Sequence, residues 1–296
     1  MPPVLLVTCA DLPNGDEDGA ALLDALTARG VDARWVAWTD PAVDWSAGLT
    51  VLRSSWDYTL AYDSFLTWAS AVPRLANPIE IVIWNSDKTY LRDLADAGLP
   101  IVSTAWAPPG SAVAFPDSAE FVVKPSVGAG SKGAGRFAAG AHDDAAAHVA
   151  DLHRAGRTAM VQPYLTGVDV EGETALMYVE GTFSHAIRKG AMLPPGVTNR
   201  LDVELSDALQ ARELFIEERI EAHTATAQER AVGDRVLAHV EQRFGHRPLY
   251  TRVDLLPAPD GPVLVELELV EPSMFLGYAD GAAATFADAI ATRVAG

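Results

Sequence analysis

The run YTRVDLLPAPDGPVLVELELVEP, residues 250–272, alternates charge with hydrocarbon. Val253, Leu255, Val263, Val265, Leu267 and Leu269 share one parity, and Arg252, Asp254, Glu266 and Glu268 share the other. Successive side chains of a strand point to opposite faces. A hairpin here therefore packs its apolar set on a core and projects its charged set together. The five-residue loop Pro257–Gly261 lets Asp254 lie nearly opposite Glu266. Three carboxylates on adjacent strands repel one another unless a cation sits between them, and hard oxygen donors in this number suit Mg²⁺. The competing reading is a solvated sheet face in an acidic chain.

A second chemical feature is FVVKPSVGAGSKGAGRF, residues 121–137. Glycines at 128, 130, 133 and 135 let backbone N–H groups approach an anion closely. Gly128, Gly130 and Gly133 satisfy GxGxxG formally, but an extended segment follows rather than a helix, and the motif starts more than a hundred residues in, which excludes a dinucleotide fold. Lys132 is followed by Gly133, not Ser or Thr, so this is no Walker loop. What remains is a glycine-rich hairpin over phosphates, fed by a strand ending in Lys124, or else a plain surface loop.

Four smaller clusters have both a chemical and a structural reading. Asn85-Ser86-Asp87-Lys88 opens a helix, or only caps it. Gln162-Pro163-Tyr164-Leu165 takes a buried strand out through a proline, or only links two units. Ser184 to Lys189 ends a strand on two cations, where an arginine can fork onto phosphate or carboxylate or form a surface ion pair. Arg53 to Tyr58 lies at the C-terminal end of a predicted parallel strand, the edge that ligands favour in open α/β sheets, or is a strand-end turn.

The elements that must position these groups follow a βαβ rhythm at first. Val4–Thr8, 34–38, 50–53 and 81–84 read as strands, and 16–29 and 64–72 as helices, which together suggest a small parallel sheet. A helix at 87–97, N-capped by Ser86, precedes a proline-rich crossing. A strand at 121–124, a helix at 141–154 and a strand at 158–162 make a small α+β unit. Paired strands at 173–180 and 182–188, a weakly structured stretch at about 190–225, a helix at 227–244 opened by the capping box Thr226/Glu229, the hairpin and a last helix complete the chain. The long irregular stretch is expected to be a lid that keeps water from an activated carboxylate.

Charge narrows the function classes. The formal net charge of −18 disfavours broad binding to nucleic acid or anionic membrane, so any phosphate must be held by a few placed cations. One cysteine, Cys9, excludes a disulfide framework and a cysteine zinc site. No apolar run reaches a membrane span, and the N-terminus has no positive region of a signal peptide, so the expectation is a cytoplasmic protein with a small-molecule partner, possible as a homo-oligomer.

Taken in order, a lysine at a helix start, a strand–lysine–glycine loop, a Gln-Pro hinge, Arg-Lys, and Asp…Glu-x-Glu resemble the ATP-grasp ligases over nearly the whole chain. The boxes VTCADLP, RSSWDY, WNSDKTYLRDLADAG and HAIRKGAML resemble most the D-cycloserine-forming O-ureido-D-serine cyclo-ligases. The resemblance implies an N-terminal parallel α/β domain (1–97), a central lid subdomain (98–165) and a C-terminal α+β subdomain with the metal site (166–296), the latter two clasping ATP. It implies that Lys88 and Lys124 contact ATP, that Ser126, Gly130, Ser131 and Gly133 belong to a mobile phosphate lid, that Gln162, Pro163, Tyr164 and Leu165 line the adenine, and that Glu171 or Glu173 holds the ribose. Asp254, Glu266 and Glu268 would hold two Mg²⁺, with Glu268 standing where many members have Asn. Arg188, Lys189 and Arg252 would be the catalytic cations. Arg53, Ser54, Ser55, Asp57, Tyr58 and Asn199 would meet the amino-acid substrate. The implied reaction is ATP-driven formation of an acyl phosphate, followed by ring closure onto D-cycloserine with release of ADP, phosphate, CO₂ and NH₃. The alternatives are a ligase joining a carboxylate to a separate amine and, from another class, a nucleotide-binding module without turnover.

Overall fold

A computed structural model of the chain describes residues 2–199 and 219–295. Its first sheet is parallel: β1 (Val4–Thr8) lies between β2 (Ala33–Ala37) and β3 (Leu49–Ser54). β1 is buried at every position, as a continuous apolar strand must be when both faces are covered. Helix α1 (Gly19–Thr27) crosses from β1 to β2, and α2 (Tyr62–Ala71) follows β3.

Residues 81–84, expected as a strand, are helical: α3 spans Ile79–Asn85. A four-residue apolar run does not by itself separate a strand from a buried helical turn. Pro78 stands at the N-cap, and the face is that of a helix, with Ile81 and Val82 buried and Ile83 48% exposed. Helix α4 begins later than expected, at Tyr90–Asp96, with Thr89 at its N-cap, while Ser86 closes α3 instead.

The central sheet is antiparallel, in the order β4 (Ala105–Ala107), β7 (Ala159–Pro163), β5 (Glu120–Pro125), β6 (Gly135–Ala138). Helix α5 (His142–Arg154) packs Ala145, Val149 and Leu152 against Phe121, Val123 and Val161. A short helix, α6 (Gly167–Glu171), leads into the largest sheet. That sheet runs β10 (Ile220–His223), β9 (Thr182–Lys189), β8 (Glu173–Val179), β11 (Tyr250–Leu256), β12 (Val263–Glu268), all antiparallel. β10 lies in the stretch expected to be irregular. Residues 200–218 of that stretch, and with them most of the expected lid, lie outside the described residues.

Two helices cover the large sheet, one on each face. Leu176, Tyr178 and Val253 meet α7 (Ala227–Phe244) through Val232, Val236 and Val240. Ala175, Met177 and Tyr250 belong to the cluster of α8 (Ala282–Ala295), with Phe286 and Ile290. The capping box is formed: Thr226 accepts from the Glu229 N–H, and the Glu229 carboxylate accepts from the Thr226 N–H.

The hairpin has Asp254 opposite Glu266 and Arg252 opposite Glu268, as expected. One detail differs. The register slips between Asp254 and Leu255, so Leu255 faces Leu264 and Val265 is skipped. The slip reverses parity beyond Glu266: Leu264 is fully buried, and Val263 and Val265 are only partly so. β12 is a sheet edge, and side chains satisfy its outward backbone. Asn85 donates to the Leu267 carbonyl and accepts from the Leu269 N–H, and the Tyr90 hydroxyl engages both backbone groups of Leu267. With residues 267 and 269 held on this side, Glu266 and Glu268 are fixed in register. No helix among the described residues is long and apolar enough to cross a membrane.

Candidate active site

Strand parity assembles the site on one face of the large sheet. Glu173 pairs with Lys189 across β8 and β9, Asp254 follows on β11, and Glu266 with Glu268 completes the row on β12. The Lys189 ammonium forms an ion pair with Glu173 and lies 3.3 Å from Asp254 Oδ2. Arg252 forks onto Asp254, with Nε to Oδ1 at 2.9 Å and Nη2 to Oδ2 at 2.9 Å, and also donates to Glu268. Its third contact is Nη1 to the Ser273 carbonyl at 3.2 Å. From above the row, Lys88 Nζ reaches Glu266 Oε1 at 3.0 Å and the Gly128 carbonyl at 2.6 Å, tying the carboxylates to the root of the glycine-rich loop. The Lys88 N–H also donates to the Ser126 carbonyl.

The charges settle unevenly. Burial pushes Glu266 and Asp254 up, but Lys88 and Lys124 outweigh it for Glu266, and Arg252 and Lys189 for Asp254, so both carboxyls sit below the usual range. Burial wins at Glu268, pushed up to about 7, and at Glu271, pushed up to about 8, each raised further by neighbouring carboxylates. Burial lowers Lys124, which has no hydrogen-bond or ion-pair partner among the described residues. Its ammonium is the uncommitted cation of the site, at the end of β5 where the glycine-rich loop begins.

Among the described residues no three carboxylates converge on a point that a metal ion could fill, because each is drawn to a cation. The donor chemistry nonetheless fits Mg²⁺. All donors are carboxylate oxygens, and the elevated Glu268 and Glu271 mark a cluster short of positive charge.

The glycine-rich loop is folded down on this site. Gly130, Ser131 and Gly133 have positive φ, which a serine adopts only against steric cost. Asn199 holds the turn, donating from Nδ2 to the Ser131 carbonyl at 3.1 Å and from its N–H to the Ala134 carbonyl at 2.8 Å. Asn199 is thus a loop anchor in this structure, not a group turned to a substrate. Gln162 is buried and donates to Thr104 Oγ1 at 2.8 Å. Pro163 ends β7, and Leu165 is partly buried at the start of the turn into α6. Arg136 stacks on Tyr164, whose hydroxyl donates to Asp169. Of the two ribose candidates, Glu173 is in the charged row, while Glu171 is exposed and contributes its carbonyl to Arg188.

Two expected cations are not brought here. Arg188 follows the opposite parity from Lys189 and turns to the N-terminus of α7, where it meets His223 Nε2 at 2.8 Å and Glu229 Oε1 at 3.2 Å. Arg53 is fully buried between the N-terminal sheet and the large sheet, over the Tyr250 and Phe286 rings, donating to the Pro272 carbonyl at 2.9 Å. Ser54 bonds Thr8, and Tyr58 packs on Phe65. β3 is covered on both faces, so Arg53 and Ser54 at its end serve packing, and Tyr58 does so from the helical turn Trp56–Leu60 that follows. Ser55 is buried with its hydroxyl unpartnered, and Asp57 accepts from Trp38 Nε1 at 2.7 Å while staying partly exposed. Glu271 was missed because the alternating pattern stops at Leu269. Its only sequence signal is a third acidic residue before Pro272.

The Arg188–Glu229 node has a measurable signature. Burial raises the Glu229 carboxyl, but Thr174, Thr226 and His223 bond it and bring it down to about 2. A folded pKa below the unfolded value gives stability that is complete above about 4.5 and lost as pH falls toward 2. Glu229→Gln should therefore flatten the acid limb of the stability curve and cost about 1–2 kcal/mol at neutral pH, with activity little changed. Urea midpoints at pH 3 and pH 7 check this: equal losses at both would contradict it.

Comparison with known proteins places these features in a family. Residues 4–77 match the model described as D-cycloserine synthetase DcsG, N-terminal domain. The chain is 38% identical over 295 residues to the cycloserine biosynthesis protein DcsG of Streptomyces lavendulae, covering 94% of each. The crystal structure of D-cycloserine synthetase DcsG superposes with a TM-score of 0.86 at 36% identity, over 98% of this chain and 99% of that one. A structure of the ATP-grasp ligase PsnB, complexed with a precursor variant, Mg and ADP, shares the fold at a TM-score of 0.57 and 16% identity, over 98% of both chains. An α/β fold of this type, with a carboxylate row facing lysines beneath a glycine-rich loop, and this extent of identity lead to one assignment: the chain belongs to the DcsG family of ATP-grasp ligases and is an enzyme of that class.

Proposed function

We propose that this enzyme uses ATP to activate the carboxylate of O-ureido-D-serine and closes it to D-cycloserine. The ligase chemistry rests on the row of Asp254, Glu266 and Glu268 faced by Lys88, Lys124, Lys189 and Arg252. The choice of reaction is supported by the 38% identity to a cycloserine biosynthesis protein across 94% of both chains.

The substrate carboxylate takes the γ-phosphoryl group of ATP, giving an acyl phosphate and ADP. The nitrogen bonded to oxygen in the ureido group attacks the acyl carbon, the C–O bond to phosphate breaks, and a five-membered ring closes. One water then hydrolyses the carbamoyl group, leaving CO₂ and NH₃. Lys124, uncommitted and desolvated, binds a phosphate oxygen, and Lys88 holds a second while keeping the loop root in place. Arg252 and Lys189 stabilise charge as phosphate leaves, which is positioning and electrostatics rather than covalent catalysis. Asp254, Glu266 and Glu268 would hold Mg²⁺, which supplies charge neutralisation for the ATP phosphates. Ser126 and the glycine-rich loop cover the phosphates, Gln162 to Leu165 line the adenine and Glu173 takes the ribose. Asp57 receives the substrate ammonium. We place the three units at 1–97, 98–165 and 166–296, so that the central one can move over ATP.

Holding both reacting ends of one molecule makes the displacement intramolecular. The test is ADP release across a panel of D- and L-amino acids. O-ureido-D-serine should stimulate it far above the rest. Equal stimulation by unsubstituted amino acids would refute the substrate choice.

A further inference from the structure

β12 ends at Glu268, and the chain from Glu271 to Phe275 has no regular structure of its own. Side chains from distant elements hold it instead. Five successive carbonyls each accept from one: Glu271 from Trp56 Nε1 at 3.1 Å, Pro272 from Arg53 at 2.9 Å, Ser273 from Arg252 at 3.2 Å, and Met274 and Phe275 from His185 Nε2 at 3.0 and 3.1 Å. Asp18, at the N-cap of α1, accepts from the N–H groups of Met274 at 2.9 Å and Leu276 at 2.6 Å. A carbonyl can only accept, so His185 Nε2 carries the proton. Burial lowers the imidazole below its ordinary pKa, so the ring is neutral and Nδ1 accepts from the Ser184 hydroxyl at 2.9 Å. Between Asp18 and His185, Phe275 is held at φ 49° and ψ 45°. A bulky residue keeps that left-handed conformation only where its surroundings impose it, and such positions concentrate where function needs a fixed geometry.

This segment meets Arg252. The Phe275 ring centroid lies 5.6 Å from Arg252 Cζ, and the Ser273 carbonyl takes one Nη1 N–H. A guanidinium has five N–H donors in one plane. Asp254 takes one from Nε and one from Nη2, Glu268 takes the other from Nη2, and Ser273 takes one from Nη1. One Nη1 N–H is left without a partner among the described residues. It is the donor that Arg252 can give to a developing charge. Because the group is planar, the direction of that N–H is fixed once its neighbours fix the plane. Strand parity sets the two carboxylates. The Ser273 carbonyl and the Phe275 ring depend on the backbone that Asp18 and His185 hold.

We propose that Asp18 and His185 are positioning residues for Arg252. By fixing the backbone of residues 274–276 they place the Ser273 carbonyl and the Phe275 ring, and so aim the remaining Nη1 N–H at the charge that develops as phosphate leaves. This rests on the reading of Arg252 as a catalytic cation given above. Asp18 comes from the start of α1, beside the parallel sheet, and His185 from β9 of the large sheet. The aim of Arg252 therefore depends on the docking of the N-terminal unit against the large sheet. Asp18 and His185 act through one stretch of backbone, without a place in the carboxylate row.

The Arg252 side chain reports its own fixation. In NMR spectra of the intact enzyme carrying isotopically labelled arginine, the Arg252 Nε–H resonance is the one absent from Arg252→Lys. It should shift and broaden in His185→Leu, with no substrate present. An unchanged resonance would overturn the proposal, whatever the substrate. Turnover gives a second readout. With O-ureido-D-serine, ATP and Mg²⁺, His185→Leu should lower kcat for ADP release on the order of ten- to a hundredfold and leave KM for ATP within about twofold. In the Arg252→Lys background the same substitution should cost nothing further, because the group it positions is gone. The same fold-loss in both backgrounds, or a raised KM with kcat intact, would make His185 a structural residue only and overturn the proposal. If the wild type releases no ADP with O-ureido-D-serine, the substrate reading fails, and the resonance still decides this one. Asp18→Asn, which keeps one acceptor for the two N–H groups, takes the place of His185→Leu if that variant does not fold, with the same outcomes.

Discussion

Glu266→Gln is expected to lose roughly a hundred- to a thousandfold in kcat, with a melting temperature close to that of the wild type. Glu266 is the carboxylate that Lys88 meets, 3.0 Å away, and it faces Asp254 across the hairpin. The glutamine keeps the shape and an acceptor for Lys88, so packing survives. What disappears is a negative charge from the set that would hold Mg²⁺. The loss should shrink as Mg²⁺ is raised if weakened metal binding is the cause. Steady-state kinetics at two Mg²⁺ concentrations, beside a thermal melt, make the check. Near-normal turnover at ordinary Mg²⁺ would reduce the carboxylate row to a solvated surface.

The second large effect is on stability. Arg252→Met should destabilise the fold by about 3–5 kcal/mol, because it strands Asp254 and Glu268 in a buried site. Arg252 makes three hydrogen bonds to Asp254 and one to Glu268, and the Asp254 side chain is 2% exposed. Adding Glu268→Gln should return part of the loss, since one stranded charge is then removed. Lys189 remains to balance Asp254. Denaturant midpoints of the two single variants and the double variant give the coupling. Strictly additive losses would show that Arg252 and Glu268 do not depend on each other.

The parts of the site that were legible in the sequence are those governed by strand parity. Arg252, Asp254, Glu266 and Glu268 could be read as one charged face because six apolar residues of the opposite parity occupied the other. The same rule separates Lys189 from Arg188, adjacent residues that must point to opposite faces, yet both were assigned to catalysis. The structure turns Arg188 to Glu229. Other features depend on distant contacts. The helix at 79–85 follows from Pro78 and from the need to cover the β12 edge, which Asn85 and Tyr90 do across about 180 residues of chain. The register slip at Val265 has no local signature. Arg53 looked like a strand-end ligand because arginine is rarely buried; the buried carboxylates of Asp16 and Asp18, with the distant Tyr250 and Phe286 rings and the Pro272 carbonyl, account for it.

The central claim, ring closure within one molecule, is tested most directly by product mass. The enzyme is incubated with O-ureido-D-serine, ATP and Mg²⁺, with no added amine. The account predicts ADP, phosphate and NH₃ in equal amounts, and a product with the mass of D-cycloserine. Absence of the cyclic product, with an amide or dipeptide appearing only when an amine is supplied, would contradict ring closure and leave an ATP-grasp ligase that joins two molecules.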